Sequence, residues 1–109
     1  MDVSITDKHG IAVVTVSGRI DSSNFAEFNT PLEKLVQQGQ MKIVLEMGGV
    51  DYMSSVGMRT IISTMKALKG QGGTLKLANL SNGVRGVLMM AGTELFDIHD
   101  SIEQAVASF

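Results

Sequence analysis

The chain contains no cysteine and no tryptophan, and only one proline and one tyrosine. Without cysteine it has no disulfide framework, no thiolate metal site and no thiol nucleophile, and a cytoplasmic protein is the simplest expectation. With a single proline and no low-complexity tract or linker, its 109 residues are expected to form one domain, large enough for a single core. No apolar run approaches the ~20 residues that a membrane span needs. The opening MDVSITDKHG has neither a basic n-region nor an apolar h-region, so no signal peptide is expected. The formal net charge is −2 and the cations are scattered, which predicts neither a nucleic-acid nor a membrane partner. Two isolated histidines without cysteine, and no calcium-loop pattern, predict no metal and no cofactor.

The sequence does contain a regular alternation of β-branched runs and helical patterns. Val3–Thr6 and Ile11–Ser17 read as strands around a turn at Lys8-His9-Gly10, with Gly18-Arg19-Ile20-Asp21 ending the second. Ser22, Ser23 and Asn24 are all suitable N-caps for the segment after them. That segment is either a kinked helix or a turn into a helix from Pro31, because Thr30-Pro31-Leu32-Glu33 is itself a capping box. Leu32, Leu35 and Val36 would face the core and Gly39 would close the helix. Lys42–Met47 predicts a strand stopped by Gly48-Gly49. From Met58, apolar residues at Ile61, Ile62, Met65 and Leu68 give one helical face, ending at Gly70. Thr74–Ala78 predicts a strand, Ser81 caps a helix through Val84, Val87, Leu88 and Ala91, and Leu95–Ile98 predicts a last short strand. Ser101, with Gln104 at N3, opens a C-terminal helix. The order predicts an α/β fold: a mixed sheet of four to five strands packed with about four helices. The first two strands should pair antiparallel and the later ones parallel.

Candidate chemistry is sparse. The esterase elbow needs Gly two residues before its Ser, and Ser55 has Met53 there. A triad would have to recruit His99, which reads as a solvated loop residue, so an enzyme is not expected. Lys69-Gly70-Gln71-Gly72-Gly73-Thr74 runs from helix to strand, the reverse of a phosphate loop, and reads as a flexible turn. Most of the eight methionines should fill the core, although Met53, Met58, Met89 and Met90 lie near element ends, where methionines also suit an adaptable docking surface. In DYMSSVGMRTII, one of Ser54 and Ser55 is expected to cap the helix carrying Met58 and Ile61. A hydroxyl there also sits where free amides and the positive dipole end would stabilise a phosphate.

The element order, with GRID, VDYMSSVGMR and NLSNGVRGVLMMAG, resembles the STAS domain family over essentially the whole chain. It is closest to the stand-alone bacterial anti-sigma factor antagonists, so residues 1–109 are expected to be a single STAS domain. In that family an Asp-Ser-Ser-Gly turn opens the second main helix, and a partner anti-sigma kinase phosphorylates its first Ser. Aligned on Gly57, the acceptor falls on Ser55, with Ser54 in place of the Asp and Val56 in place of the second Ser. Gly18-Arg19-Ile20-Asp21 matches the strand-end motif whose Asp lies near the acceptor turn. The resemblance implies a docking face made of Asp21, Ser23, Asn24, Met53, Ser54, Val56, Gly57, Met58 and Arg59 around Ser55. It also implies partner switching: binding of an anti-sigma serine kinase by the unmodified protein, release on phosphorylation of Ser55, and resetting by a serine phosphatase, so regulating sigma-dependent transcription. The alternative on the same fold is a small-ligand-binding or lipid-transport accessory domain, with Ser55 only a cap.

Overall fold

The computed structural model describes residues 1–109, the side chain of Thr93 excepted. A tight turn with His9 and Gly10 both at positive φ reverses β1 (Asp2–Lys8) into β2 (Ile11–Ile20). This is the two-residue hairpin geometry that matches the natural twist of paired strands. Then follow α1 (Phe25–Gln37), β3 (Lys42–Met53), α2 (Ser55–Gly70), β4 (Thr74–Ala78), α3 (Asn82–Met89), a 3-10 turn at Thr93–Leu95, β5 (Ile98–His99) and α4 (Ile102–Ala107). The strands lie in chain order, β1-β2 antiparallel and β2-β3-β4-β5 parallel, as the element order predicts.

β2 is apolar almost throughout because both faces of the sheet are covered. Ala12, Val14 and Val16 enter the main core with Phe28 and Leu32 of α1, Ile61 and Leu68 of α2, and Val84 and Leu88 of α3. Ile11 and Val13 face a smaller cluster closed by Ala105 of α4.

Two strands run past the glycines expected to stop them. β2 continues to Ile20 and β3 to Met53. Gly18 has φ +98° and the β2-β3 register shifts at Thr15/Ser17 and Gly18/Arg19. A Cβ on Gly49 would lie 2.8 Å from Ser17 Cβ. These glycines permit a bulge and a close strand approach, so they mark irregularities within the sheet and not its end.

Other boundaries move for equally local reasons. α1 begins at Phe25 and runs on through Pro31, so Thr30 is no cap, and Phe28 joins Leu32 and Leu35 on the buried stripe. Gly39 does close α1: its N–H donates to Val36 O and that of Gln40 to Leu35 O, a Schellman arrangement. α2 ends at Gly70 as expected, and the closing residue at positive φ is Gly72 (φ +84°), with Gly72 N–H on Lys69 O and Gly73 N–H on Leu68 O. The glycine turn is therefore a bonded helix cap. Thr60 and Thr64 occupy buried positions on α2, donating back to Val56 O and Thr60 O, while Met58, Ile62 and Met65 are half-buried. The expected strand over Leu95–Ile98 shrinks to Ile98–His99, because Leu95 lies in the 3-10 turn and Phe96 turns inward.

His99 is half-buried on β5, not a solvated loop residue, with Nε2 2.7 Å from Asp97 Oδ1. Lys76 Nζ lies 2.7 Å from Asp97 Oδ2 and 4.9 Å from the centroid of the Phe109 ring. The Lys76 hydrogen bond holds the Asp97 carboxyl below its ordinary 3.8, against a smaller opposing effect of burial. A carboxyl pKa depressed by folding adds stability that is fully present above the unfolded value and is lost as pH falls through the folded one. Asp97→Asn is expected to cost about 1–2 kcal/mol, discounted because Asp97 is 46% exposed while the Lys76 it strands is 9% exposed. In denaturant titrations that deficit should be constant near neutral pH and should be lost as pH falls below 3.8 and through the depressed folded-state value of Asp97.

Candidate functional site

The site forms where β2 and β3 end side by side. Arg19 pairs with Tyr52 and Ile20 with Met53. The two chains then leave the sheet together at Asp21 and Ser54, tied by Ser54 N–H donating to Ile20 O at 2.9 Å.

On the β2 side, Asp21 organises the loop into α1. Its Oδ1 accepts from Ser23 N–H at 2.9 Å and from Ser23 Oγ, while Arg19 Nε donates to its Oδ2 at 2.9 Å. The Ser23 hydroxyl first, then Arg19 and the Ser23 amide, hold the Asp21 carboxyl below its ordinary value. Asn24 flanks α1 without capping it by its side chain: Asp21 N–H donates to its Oδ1 and its Nδ2 donates to Arg19 O. The Arg19 guanidinium also lies 4.3 Å over the Tyr52 ring. Tyr52 is exposed, as is Phe25, so this cation–π pair adds an aromatic rim that the sequence motifs do not single out. The signal is present, since Arg19 and Tyr52 lie inside GRID and VDYMSSVGMR, but only the register places them together.

On the β3 side the two serines differ sharply. Ser54 is the N-cap of α2 in extended conformation, yet its side chain accepts no capping bond. Its Oγ is buried with no hydrogen-bond partner among the described residues. The expected serine cap is therefore not made by Ser54, because its hydroxyl turns inward. Ser55, the first residue of α2, is exposed. The helix begins there without an acidic residue in its first turn, leaving amides and the positive dipole end available to an anion. Since a capping Ser costs ~1 kcal/mol to remove whereas a buried unpaired hydroxyl is itself a penalty, Ser54→Ala is expected to be neutral or stabilising by up to about 1 kcal/mol. The chemical denaturation midpoint measures the sign.

Of the expected docking residues, Asp21, Ser23, Asn24, Ser54, Val56, Met58 and Arg59 are at least partly accessible around Ser55. Met53 and Gly57 are buried, which corrects their assignment as surface contacts. A Cβ on Gly57 would fall 2.4 Å from Met53 Cγ, so the pair seats the first turn of α2 on the sheet from beneath. Ser55, Met58, Arg59 and Ile62 lie at helical spacing on one stripe of α2, which extends the accessible face by one residue beyond those expected. Ser55 has no histidine partner: His99 engages Asp97 and approaches Ser108. Met89 and Met90 are exposed at the end of α3.

A mixed five-stranded sheet in chain order, crossed over on one face by α1, α2 and α3, with this serine turn at the β3–α2 junction, defines the class of domain. The chain belongs to the STAS domain family, whose model matches residues 2–105. It is 34% identical over 101 residues to the anti-sigma-B factor antagonist of Bacillus subtilis, covering 92% of this chain and 89% of that one. An anti-sigma factor antagonist from Mycobacterium paratuberculosis superposes with a TM-score of 0.90 at 20% identity, covering 98% of this chain and 92% of that one. The antagonist SpoIIAA in its unphosphorylated form gives 0.84 at 19% identity, covering 98% of this chain and 95% of that one. The phosphorylated form of the Bacillus SpoIIAA gives 0.75 at 17% identity over 98% of each chain. At these identities the superpositions establish the fold.

Proposed function

We propose that this protein is an anti-sigma factor antagonist working by partner switching, with Ser55 as its phosphate acceptor. The relative in Bacillus subtilis and the unphosphorylated SpoIIAA structure carry the antagonist name, and SpoIIAA exists in a phosphorylated form. The observation that carries the reading is the asymmetry of the serine pair: Ser55 is exposed at the open N-terminus of α2 while the Ser54 hydroxyl is buried. In the unmodified state, the Ser55 turn and the Met58–Arg59 face dock on a cytoplasmic anti-sigma serine kinase, which releases its sigma factor. The kinase brings ATP. Ser55 Oγ loses its proton as it bonds to the γ-phosphorus, and the bond from that phosphorus to ADP breaks. The modification adds roughly −2 of charge, and a serine phosphatase removes it. The protein is a regulatory binding partner and not itself an enzyme.

The test is phosphotransfer from the purified cognate kinase with ATP, read by intact-mass and peptide mass spectrometry. Wild type and Ser54→Ala should each gain one phosphate, on Ser55, and Ser55→Ala none. Labelling of Ser55→Ala to the wild-type level would place the acceptor elsewhere.

A further inference from the structure

The acids of this chain are unevenly placed. All eleven Asp and Glu residues fall in 1–51 and 94–109, and between them stand Arg59, Lys66, Lys69, Lys76 and Arg85 without a single carboxylate. Lys76 is bonded to Asp97, but among the described residues no ion pair engages Arg59, Lys66, Lys69 or Arg85. α2 is thus a purely cationic helix in a chain of net charge −2. Its accessible stripe is also regularly spaced. Ser55, Ile62 and Lys69 repeat every seventh position, Met58 and Met65 fall between them, and Arg59 and Lys66 each follow a methionine by one. In heptad terms these are a, d and e positions, a seam with a cation at each e.

Met58, Ile62 and Met65 are half-buried, whereas Arg59, Lys66 and Lys69 are exposed. From Ile62 onward the seam borders an open groove of about 670 Å³, which the exposed Leu95 also lines. We propose that this seam docks an acidic amphipathic helix of a partner protein, its apolar residues on Met58, Ile62 and Met65 and its carboxylates on Arg59 and Lys66. A helix fits because it presents apolar residues and the charges flanking them on one side, as α2 presents its own. Arg59 and Lys66 lie roughly 10 Å apart along the axis, so carboxylates one heptad apart on the partner meet both. The unpaired cations set the sign, since no acid on this stripe competes for them. Ser55 opens the seam, so the surface adjoins the docking face proposed above. That adjacency alone rests on the phosphorylation reading; docking of the helix needs no phosphate.

The probe is a fluorescein-labelled peptide of three Glu-Leu-Ala-Ala-Leu-Glu-Gln repeats titrated into the unmodified full chain, with its lysine-for-glutamate counterpart as control. The acidic peptide is expected to bind at least about tenfold more tightly than the basic one, and the Arg59→Glu, Lys66→Glu double variant should reverse that order. Methyl NMR signals of Met58 and Met65 should shift on saturation while those of Met89 and Met90 stay in place. No binding at about 1 mM, equal affinity for both peptides, or a preference that survives the double charge reversal overturns the proposal. Shifts centred on Met89 and Met90 also overturn it. Binding of phosphatidylglycerol vesicles or of an oligonucleotide in place of the acidic peptide would assign the stripe to a membrane or a nucleic acid and overturn it too. Met58 and Met65 shifts that grow with protein concentration in the absence of peptide do the same, since the occupant would then be a second copy of the chain. None of these readouts uses the kinase, so they stand apart from phosphotransfer to Ser55.

Discussion

Ser55→Asp is expected to weaken binding to the proposed anti-sigma kinase partner by at least about a hundredfold, while Ser55→Ala stays within about fivefold of wild type. The expectation rests on where the hydroxyl sits. Ser55 is exposed on the same stripe of α2 as Met58, Arg59 and Ile62, so a partner seated on that stripe would desolvate it. Alanine removes a small polar group from such a contact, whereas aspartate buries a charge. A buried charge without a mate costs several kcal/mol, and ~2.8 kcal/mol already gives a hundredfold. In the free protein the balance reverses. An acid in the first turn of α2 meets the positive dipole end, where none now stands, and gains about 0.3–1 kcal/mol. Arg59, four positions on and at least partly accessible, offers a further favourable i,i+4 pairing. Thermal unfolding of Ser55→Asp should therefore match or slightly exceed wild type, which separates lost binding from lost folding. Isothermal titration supplies the affinity; a wild-type Kd for Ser55→Asp would put Ser55 outside the interface.

Much of this arrangement is legible in the sequence, and the parts that are not share a cause. β4 falls on Thr74–Ala78 as expected, Ser81 caps α3, and Ser101 caps α4, because strand propensity and capping act over a few adjacent residues. Gly18 and Gly49 look like stops in the sequence, because what matters is a positive φ at the bulge for Gly18 and closeness to β2 for Gly49, and neither can be read locally. Thr60 and Thr64 escape an apolar count because each hydroxyl bonds back to its own helix and so becomes able to enter the core. The site divides in the same way. Ser55 and Asp21 are marked by local motifs, but their adjacency depends on the β2-β3 register, set between segments some thirty residues apart. The inward turn of the Ser54 hydroxyl, and with it the difference between the two serines, is likewise a product of packing and not of propensity.

That packing can be tested through Gly57. Gly57→Val is expected to destabilise the fold by about 2–3 kcal/mol, although valine is the better helix former by a few tenths. The new Cβ would fall 2.4 Å from Met53 Cγ, 2.8 Å from Met53 Sδ and 3.1 Å from Ile20 Cγ2. Met53 is 1% exposed and Ile20 fully buried, so neither can swing into solvent to make room. The adjustment must lift the first turn of α2 from the sheet, which would also displace Ser55. Met53→Ala alone should cost about 2–5 kcal/mol through the cavity it leaves. Combining the two changes places the valine methyls in that cavity, so the double variant should recover about 1–2 kcal/mol relative to the sum of the single losses. Urea unfolding of the four proteins closes the cycle. Simple additivity would mean that Gly57 and Met53 do not share a contact, and that something else holds the serine turn in place.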